Sequence, residues 1–483
     1  MNMGDNIIKG ETERLRTHRW HNGFHLEMPV GLINDPNGLS FYQGEYHIFY
    51  QWNPTGCEQK NKHWGHVATR DFIHYTAPVV SLQPSDWFDK DGCYSGCAFV
   101  EDEQLRVIYT GNVKNEKNER ESYQCLGEFQ PDGTIRKAGV LISHQPPGYT
   151  AHFRDPYVFF RGGAKYMVLG AQTDNLSGRA LLYKQADDKW AFVGEIKTAL
   201  ENFGYMWECP NLLDFDGQDV LLFSPQGLPA RAYGWQNLYQ SGYVCGQLEL
   251  GEPLLCHASF EEIDHGFDFY APQVLEHQGR KLLLGWIGMP EREGEYPTAA
   301  EGWLYSLTMP RELELKSGRL YQQPARELRD LRKTAVPVGV NGKDSFEISL
   351  PRQAELDLTL VWGQAESVSY TLYFGSDKLV FSYASATGVF CIDRNSLRLG
   401  GKGERRFKLA AAETLRVQLF IDRAVVECFL QQGEKAATSV YFPEKECLPL
   451  LHVRADRPWT SLMGTIWELG TFCYEDAAGD CHK

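Results

Sequence analysis

The chain has 483 residues, which is too long for one ordinary hydrophobic core and predicts two or more domains. Its formal net charge of −15 argues against nucleic acid or an anionic membrane as the main partner. Aromatic residues make up 13% of the chain, beside 46 glycines and 23 prolines. This composition is typical of many short strands joined by turns.

The amino-terminal segment is polar and charged over residues 1–16 and lacks the apolar core of a secretory signal. No stretch of the sequence is long and apolar enough to span a bilayer. The 12 cysteines are dispersed, and no Cys/His cluster has the spacing of a metal site. These features favour reduced thiols and a cytoplasmic protein.

One pattern repeats along residues 20–315, after an amino-terminal extension at 1–19. Short β-rich runs, bounded by Gly, Asp, Asn or Pro, form five units spaced at irregular intervals of about 60 residues. Small antiparallel sheets arranged around an axis, as in a β-propeller, have this rhythm. By itself the pattern predicts only an all-β domain.

The pattern changes after residue 315. Residues 316–335 read as a linker with a short helix, in which Leu328 and Leu331 are spaced i, i+3. Residues 336–483 contain about seven runs that alternate apolar and polar residues, as a two-sheet β-sandwich does. The predicted fold is therefore all-β, with the chemistry in the first domain.

Three short strings each place a carboxylate beside a proline in an aromatic-rich stretch. They are Asn34-Asp35-Pro36-Asn37-Gly38, Phe153-Arg154-Asp155-Pro156 and Trp207-Glu208-Cys209-Pro210. Asp-Pro and Asn-Gly favour turns, and a carboxylate on a turn is rigidly aimed. Any one string alone is more often a surface turn or a structural ion pair. Together they predict an enzyme whose carboxylates act as acid, base and nucleophile on a neutral polar substrate. A sugar is the leading candidate for that substrate.

The neighbours of each carboxylate suggest a role. Asp35 suits a nucleophile, because Asn34 and the amides of a turn keep a carboxylate ionised. Glu208 lies among aromatic and sulphur-containing residues, a desolvated setting that suits a general acid. Asp155 beside Arg154 suits a carboxylate that holds two sugar hydroxyls, with the arginine as a further donor.

These strings resemble the three defining motifs of glycoside hydrolase family 32, which comprises invertases, fructan hydrolases and sucrose-6-phosphate hydrolases. The resemblance continues in order through the first domain. The further matching strings are Tyr94-Ser95-Gly96-Cys97-Ala98, Asp268-Phe269-Tyr270-Ala271-Pro272-Gln273, Gly285-Trp286 and Met309-Pro310-Arg311-Glu312-Leu313.

The resemblance implies a five-bladed β-propeller followed by a β-sandwich, and a retaining reaction at a β-fructofuranosyl unit. Asp35 would be the nucleophile, Glu208 the acid and base, and Asp155 the ligand of the fructose 3- and 4-hydroxyls. It implies no metal and no cofactor. The residues that it places at the fructose subsite are Asn34, Gln51, Trp64, Tyr94, Ser95, Arg154, Tyr270 and Trp286.

The substrate is left open by the sequence. The residues of the motifs are most similar to those of bacterial sucrose-6-phosphate hydrolases. Lys60 and Lys62 are candidate ligands for a phosphate, although a single lysine is more commonly a solvated surface charge. Plain sucrose and short fructans are alternatives as small-molecule substrates. So are fructosyl transfer to a second sugar and a non-catalytic sugar-binding role, and self-association of the chain stays open.

Overall fold

The computed structural model describes residues 18–475 and 481–482. In this part of the chain there are 38 β-strands and one α-helix of four residues, α1 (Thr298–Glu301), with short 3-10 helices at Glu293–Glu295, Arg326–Leu331 and Gln431–Gly433. No helix in it is long and apolar enough to cross a membrane. The prediction of an all-β fold is confirmed.

The first five sheets are the blades of a propeller, each an antiparallel meander. The strands of the first blade are β1 (Gly31–Tyr42), β2 (Glu45–Asn53), β3 (His63–Thr69), β4 (His74–Thr76) and β5 (Val79–Leu82). Those of the second are β6 (Cys93–Glu101), β7 (Gln104–Lys114), β8 (Arg120–Phe129) and β9 (Ile135–Ile142). Those of the third are β10 (Tyr149–Arg161), β11 (Ala164–Thr173), β12 (Gly178–Ala186) and β13 (Lys189–Glu195).

The fourth and fifth blades complete the ring. The strands of the fourth are β14 (Met206–Phe215), β15 (Gln218–Gln226), β16 (Gly242–Glu249), β17 (Leu254–His257) and β18 (Glu261–Glu262). The fifth follows with β19 (Tyr270–His277), β20 (Arg280–Ile287), β22 (Ser306–Leu307), β23 (Arg311–Lys316) and β24 (Arg319–Pro324). Between β20 and β22, the short strand β21 (Trp303–Leu304) joins the sheet of the first blade, where it pairs in parallel with β1. The first strands of the blades touch in a closed cycle, β1–β6–β10–β14–β19–β1, and therefore line the axis.

All five axial strands carry an irregularity at the same level. The register with the second strand shifts between Ile33 and Pro36, Tyr94 and Gly96, Arg154 and Tyr157, Glu208 and Asn211, and Tyr270 and Gln273. At three of these bulges a residue other than glycine has a left-handed backbone, with φ of 63° at Asp155, 48° at Cys209 and 49° at Ala271. The strings predicted to form turns are therefore bulges inside long strands. A proline and a left-handed residue serve a bulge as well as a turn, and a bulge re-aims a side chain.

The carboxy-terminal domain is a sandwich of two six-stranded antiparallel sheets. Its strands are β25 (Arg332–Asn341), β26 (Ser345–Ser349), β27 (Ala354–Gly363), β28 (Ser367–Phe374), β29 (Asp377–Ala384), β30 (Val389–Asp393), β31 (Glu404–Lys408), β32 (Thr414–Ile421), β33 (Val425–Leu430), β34 (Lys435–Val440), β35 (Leu450–Ala455) and β36 (Trp459–Leu469). The two sheets run β25-β36-β27-β32-β33-β34 and β26-β35-β28-β29-β30-β31. Apolar side chains from alternate positions of both fill one core. The predicted architecture, a five-bladed propeller followed by a sandwich, is confirmed.

A 3-10 helix joins the two domains where the sequence predicts a helical linker. It spans Arg326–Leu331, and both Leu328 and Leu331 are buried. The fourth strand of the fifth blade ends just before it, at Pro324. The domain limits 20–315, 316–335 and 336–483 stay a prediction.

Buried ionic groups join the domains. The imidazole of His25 contacts Asp422 through Nδ1 at 2.9 Å and Glu427 through Nε2 at 3.1 Å, and all three side chains are fully buried. Arg311 extends this group, with Nη2 2.5 Å from Glu427 and Nη1 3.0 Å from Asp264. Because His25, Asp264 and Arg311 precede the linker and the other two follow it, the network fixes one domain on the other.

The chain after the sandwich returns to the first blade. Strand β37 (Cys473–Glu475) pairs in parallel with β4, and β38 (Cys481–His482) pairs with β37. Cys473 is disulfide-bonded, which corrects the expectation that the thiols are reduced. Ten other cysteines of the described chain are free.

Candidate active site

The three predicted carboxylates meet in one cavity at the end of the propeller axis. Its volume is about 720 Å³. Asp35 reaches it from the bulge of β1, Asp155 from that of β10, and Glu208 from the start of the bulge in β14. The residues that line it are Asn34, Asp35, Gln51, Cys57, Glu58, Gln59, Lys62, Tyr94, Ser95, Arg120, Arg154, Asp155, Glu208, Gln226, Tyr239, Tyr270, Trp286, Pro290, Glu291 and Glu293.

Asp35 is held by two side-chain donors. The hydroxyl of Ser95 donates to Oδ2 at 2.5 Å, and Nδ2 of Asn34 donates to Oδ1 at 2.9 Å. Burial raises the pKa of Asp35, while both hydrogen bonds act to lower it. Asn34 is itself fixed, since it also donates to Gln51 at 2.7 Å and accepts from Nζ of Lys62 at 2.5 Å. The carboxylate is thus aimed by a rigid amide rather than by the turn that the sequence suggested.

Asp155 lies on the left-handed residue of its bulge. Its Oδ2 accepts a hydrogen bond from the backbone N–H of Cys209 at 2.9 Å. Burial raises its pKa to about 7, against the lowering effect of Arg154. The thiol of Cys209 lies 3.7 Å from Asp155 Oδ2 and 3.9 Å from Asp35 Oδ2. Burial raises the pKa of this thiol well above its usual value, so it stays protonated and donates to both carboxylates.

Glu208 has partners on both carboxylate oxygens. Oε1 accepts from Nε and Nη2 of Arg154 at 3.0 and 2.6 Å. Oε2 accepts from Nε2 of Gln226 at 2.7 Å and from the hydroxyl of Tyr270 at 2.6 Å. The guanidinium of Arg154 therefore binds Glu208, a contact that the sequence did not predict. The remaining nitrogen of the Arg154 guanidinium, Nη1, lies 2.9 Å from Nδ1 of His152.

The structure brings most of the predicted binding residues to this cavity. Asn34, Gln51, Tyr94, Ser95, Arg154, Tyr270 and Trp286 all line it, and so does Lys62. Trp64 does not: it is fully buried behind the wall, where its indole N–H donates to the carbonyl of Tyr94 at 3.1 Å. Lys60 is outside the wall as well, with its side chain 68% exposed beside Glu58.

Several wall residues were not found from the sequence. Gln226 contacts Glu208 from the end of the second strand of its blade, and Arg120 lies at the start of the third strand of the second blade. Neither belongs to a matching string. Their position is set by strand pairing, such as Glu208 opposite Ser224 in the register of β14 and β15, which only the folded sheet shows.

This arrangement can carry out displacement at a sugar carbon. Glycoside cleavage needs carboxyl groups that act as nucleophile and as acid, and the cavity supplies them. One carboxylate is buried with two donors, a second lies within the same wall, and a third is held by an arginine and a tyrosine. The aromatic side chains of Tyr94, Tyr270 and Trp286 add apolar faces for a sugar ring. The fold and the cavity together define a glycosidase.

Comparisons with known proteins identify the family. The model described as glycosyl hydrolases family 32 N-terminal domain matches residues 25–324, and that described as glycosyl hydrolases family 32 C terminal matches residues 325–456. The chain therefore belongs to glycoside hydrolase family 32, and it is a β-fructofuranosidase-type glycoside hydrolase, as the sequence predicted.

Individual relatives agree along nearly the whole chain. The sucrose-6-phosphate hydrolase of Bacillus subtilis is 41% identical over 439 residues, covering 88% of this chain and 89% of that protein. The raffinose invertase of Escherichia coli is 33% identical over 474 residues, covering 96% and 98%. The structure of sucrose-6-phosphate hydrolase from Lactobacillus gasseri superposes with a TM-score of 0.87 at 30% identity, covering 97% of both chains.

Proposed function

We propose that this enzyme hydrolyses sucrose 6-phosphate, and sucrose less well, into fructose and the corresponding glucose, with retention at the fructose anomeric carbon. The observation that carries the mechanism is the meeting of Asp35, Asp155 and Glu208 in one cavity. The likeness to sucrose-6-phosphate hydrolases at 41% and 37% identity supports the substrate.

The first half of the reaction uses Asp35 as nucleophile. Its carboxylate attacks the anomeric carbon of the fructosyl unit while Glu208 gives a proton to the departing glycosidic oxygen. The hydrogen bonds from Ser95 and Asn34 favour the ionised form of Asp35 and oppose the rise in its pKa that burial causes. A covalent fructosyl-enzyme ester and the free glucose unit result.

The second half reverses the role of Glu208. The deprotonated Glu208 takes a proton from a water molecule, which attacks the same carbon and releases Asp35. We assign Asp155 to the fructose 3- and 4-hydroxyls, whose hydrogen bonds strengthen as positive charge develops on the ring. Arg154, Gln226 and Tyr270 hold the carboxyl of Glu208 in one orientation through both steps.

The experiment for the acid role is Glu208→Gln. We expect kcat on sucrose to fall by about 10²–10⁴-fold with little change in binding, because the amide keeps the shape but carries no transferable proton. The loss should be much smaller for an aryl β-fructofuranoside, whose leaving group departs without protonation. Glu58→Gln is the matched control, since Glu58 is 63% exposed at the edge of the cavity. Equal losses on both substrates would remove Glu208 from the acid role.

The substrate is tested by comparing kcat/KM for sucrose 6-phosphate, sucrose and 1-kestose. We expect a preference of tenfold or more for the phosphorylated sugar, equal to about 1.4 kcal/mol of transition-state binding. Faster hydrolysis of kestose would make the enzyme a fructan exo-hydrolase, and trisaccharides formed at high sucrose would make it a fructosyltransferase. NMR of the first released anomer checks retention. We place the enzyme in the cytoplasm, where a sugar phosphorylated during uptake is available.

A further inference from the structure

Three cationic side chains line the cavity, and two of them are committed to other groups. Lys62 is buried and donates to Asn34 at 2.5 Å and to Gln59 at 2.7 Å. Arg154 is bound to Glu208 at 2.6 Å. Both cations therefore serve the polar groups that orient the catalytic carboxylates, and neither is free to receive a charged part of the substrate.

Arg120, the third, has no such commitment. It begins β8 in the second blade and is half-buried, with its guanidinium 5.4 Å from the ring centre of Tyr94. Apart from this contact with Tyr94, the guanidinium makes no hydrogen bond or ion pair with any residue that the structure describes. A cation in a cavity wall without a counter-ion is available to an anion brought by the substrate.

Arg120 lies on the side of the cavity where the leaving group departs. Oε1 of Glu208 contacts Arg154, and Nη1 of Arg154 contacts His152 at 2.9 Å. Strand β8, which Arg120 begins, lies beside this segment of β10, because the hydroxyl of Ser122 donates to the carbonyl of Ala151 at 2.7 Å. Arg120 and Arg154 thus line neighbouring parts of the same wall. Because Glu208 protonates the glycosidic oxygen, the glucose unit must lie on its side of the fructose.

The part of the cavity wall that belongs to the first and fifth blades is acidic. Glu58 comes from the first blade, while Glu291 and Glu293 follow β20 in the fifth, which adjoins the first. Carboxylates at that edge repel a phosphate dianion. Lys60, an expected phosphate ligand, belongs to this edge, 3.9 Å from Glu58. The carboxylates therefore disfavour a phosphate at the first and fifth blades, and the cations of the wall favour it at the second and third.

We propose that Arg120 binds the 6-phosphate of the glucose unit and determines the preference of the enzyme for sucrose 6-phosphate over sucrose. This inference rests on the proposed function. A guanidinium offers two parallel N–H donors to phosphate oxygens, and the face of Tyr94 limits the orientations that it adopts. Lys62, by contrast, acts on Asn34 and does not distinguish the two sugars.

The test measures kcat/KM for sucrose 6-phosphate and for sucrose in the wild-type enzyme and in Arg120→Gln and Arg120→Lys. The ratio of the two values should fall tenfold or more in Arg120→Gln, chiefly through a higher KM for the phosphorylated sugar. Arg120→Lys should keep part of the preference. Arg454→Gln, an exposed position of the sandwich, is the matched control for the change in net charge. Lys60→Gln is measured as the rival site.

Inhibition of sucrose hydrolysis provides a second readout. Glucose 6-phosphate should inhibit the wild-type enzyme more strongly than glucose does, and Arg120→Gln should remove the difference. The inference is overturned if Arg120→Gln keeps the wild-type ratio within twofold while wild type prefers the phosphate, or if Lys60→Gln is the variant that loses it. A wild-type enzyme without any preference overturns the proposed substrate, and this inference with it.

Discussion

The buried imidazole of His25 makes the stability of the enzyme depend on pH. Burial alone would lower its pKa, but the hydrogen bonds to Asp422 and Glu427 raise it to about 9, against 6.5 in an unfolded chain. The folded protein thus binds the proton more tightly than the unfolded one. This stabilisation is fully present below pH 6.5 and is lost as pH rises towards 9. Its size is about 3 kcal/mol.

The perturbation is His25→Gln, which keeps polar contacts with both carboxylates but removes the positive charge. We expect the free energy of unfolding to fall by about 3 kcal/mol at pH 6, because the positive charge that Asp422 and Glu427 stabilise is lost. The difference from wild type should shrink to near zero by pH 10, where His25 is neutral in both states of the wild-type protein. His74→Gln is the control, since His74 is exposed and its imidazole contacts a single carboxylate, that of Asp71 at 2.7 Å, among the residues that the structure describes.

Urea denaturation at pH 6, 7.5, 9 and 10 measures this, with the unfolding midpoint as the readout. Glu27 also makes the free energy of unfolding fall as pH rises. Burial raises its pKa to about 8, so its ionisation between pH 4.5 and 8 opposes folding. A constant difference between wild type and His25→Gln from pH 6 to pH 10 would refute the reasoning, since it would show that the charge of His25 does not change in this range.

Three further predictions concern the cavity. Asp35→Asn should lower kcat by about 10³-fold or more on sucrose and on aryl fructosides alike, as removal of a nucleophile does, and a loss confined to sucrose would contradict this. Burial raises the pKa of Asp35 and the Ser95 hydroxyl opposes it, so Ser95→Ala should move the acidic limb of the kcat/KM profile to higher pH; an unmoved limb would exclude this role. Lys62→Met should lower kcat/KM by about tenfold for sucrose and sucrose 6-phosphate equally, because it frees Asn34, and a loss limited to the phosphorylated sugar would assign the phosphate to Lys62.

The strings that resemble the family motifs were enough to predict the architecture. Five β-rich units and seven alternating runs indicate sheets, but a propeller differs from other all-β folds only in the closure of the ring. That closure depends on contacts such as β1 with β19, more than 200 residues apart in the chain, which local patterns do not contain. The resemblance supplied what the patterns could not.

The local geometry was harder to predict. Asp155-Pro156 and Cys209-Pro210 read as turns, because proline and a left-handed residue are common to turns and bulges, and only the pairing with a neighbouring strand separates the two. The sequence also did not show which carboxylate Arg154 binds. Adjacent residues in a strand point to opposite faces, so its guanidinium meets Glu208 of the next blade rather than Asp155.

The return of the chain to the first blade after the sandwich has a practical consequence for making fragments of this enzyme. A polypeptide that stops at Pro324 contains all five axial strands, yet it lacks β37, the partner that covers the outer edge of β4. It would also expose the surface around His25 that Asp422 and Glu427 cover. An uncovered strand edge is a template for pairing with another molecule. Expressed alone, the catalytic half should aggregate, whereas a chain that also contains the sandwich and β37 covers both of these surfaces.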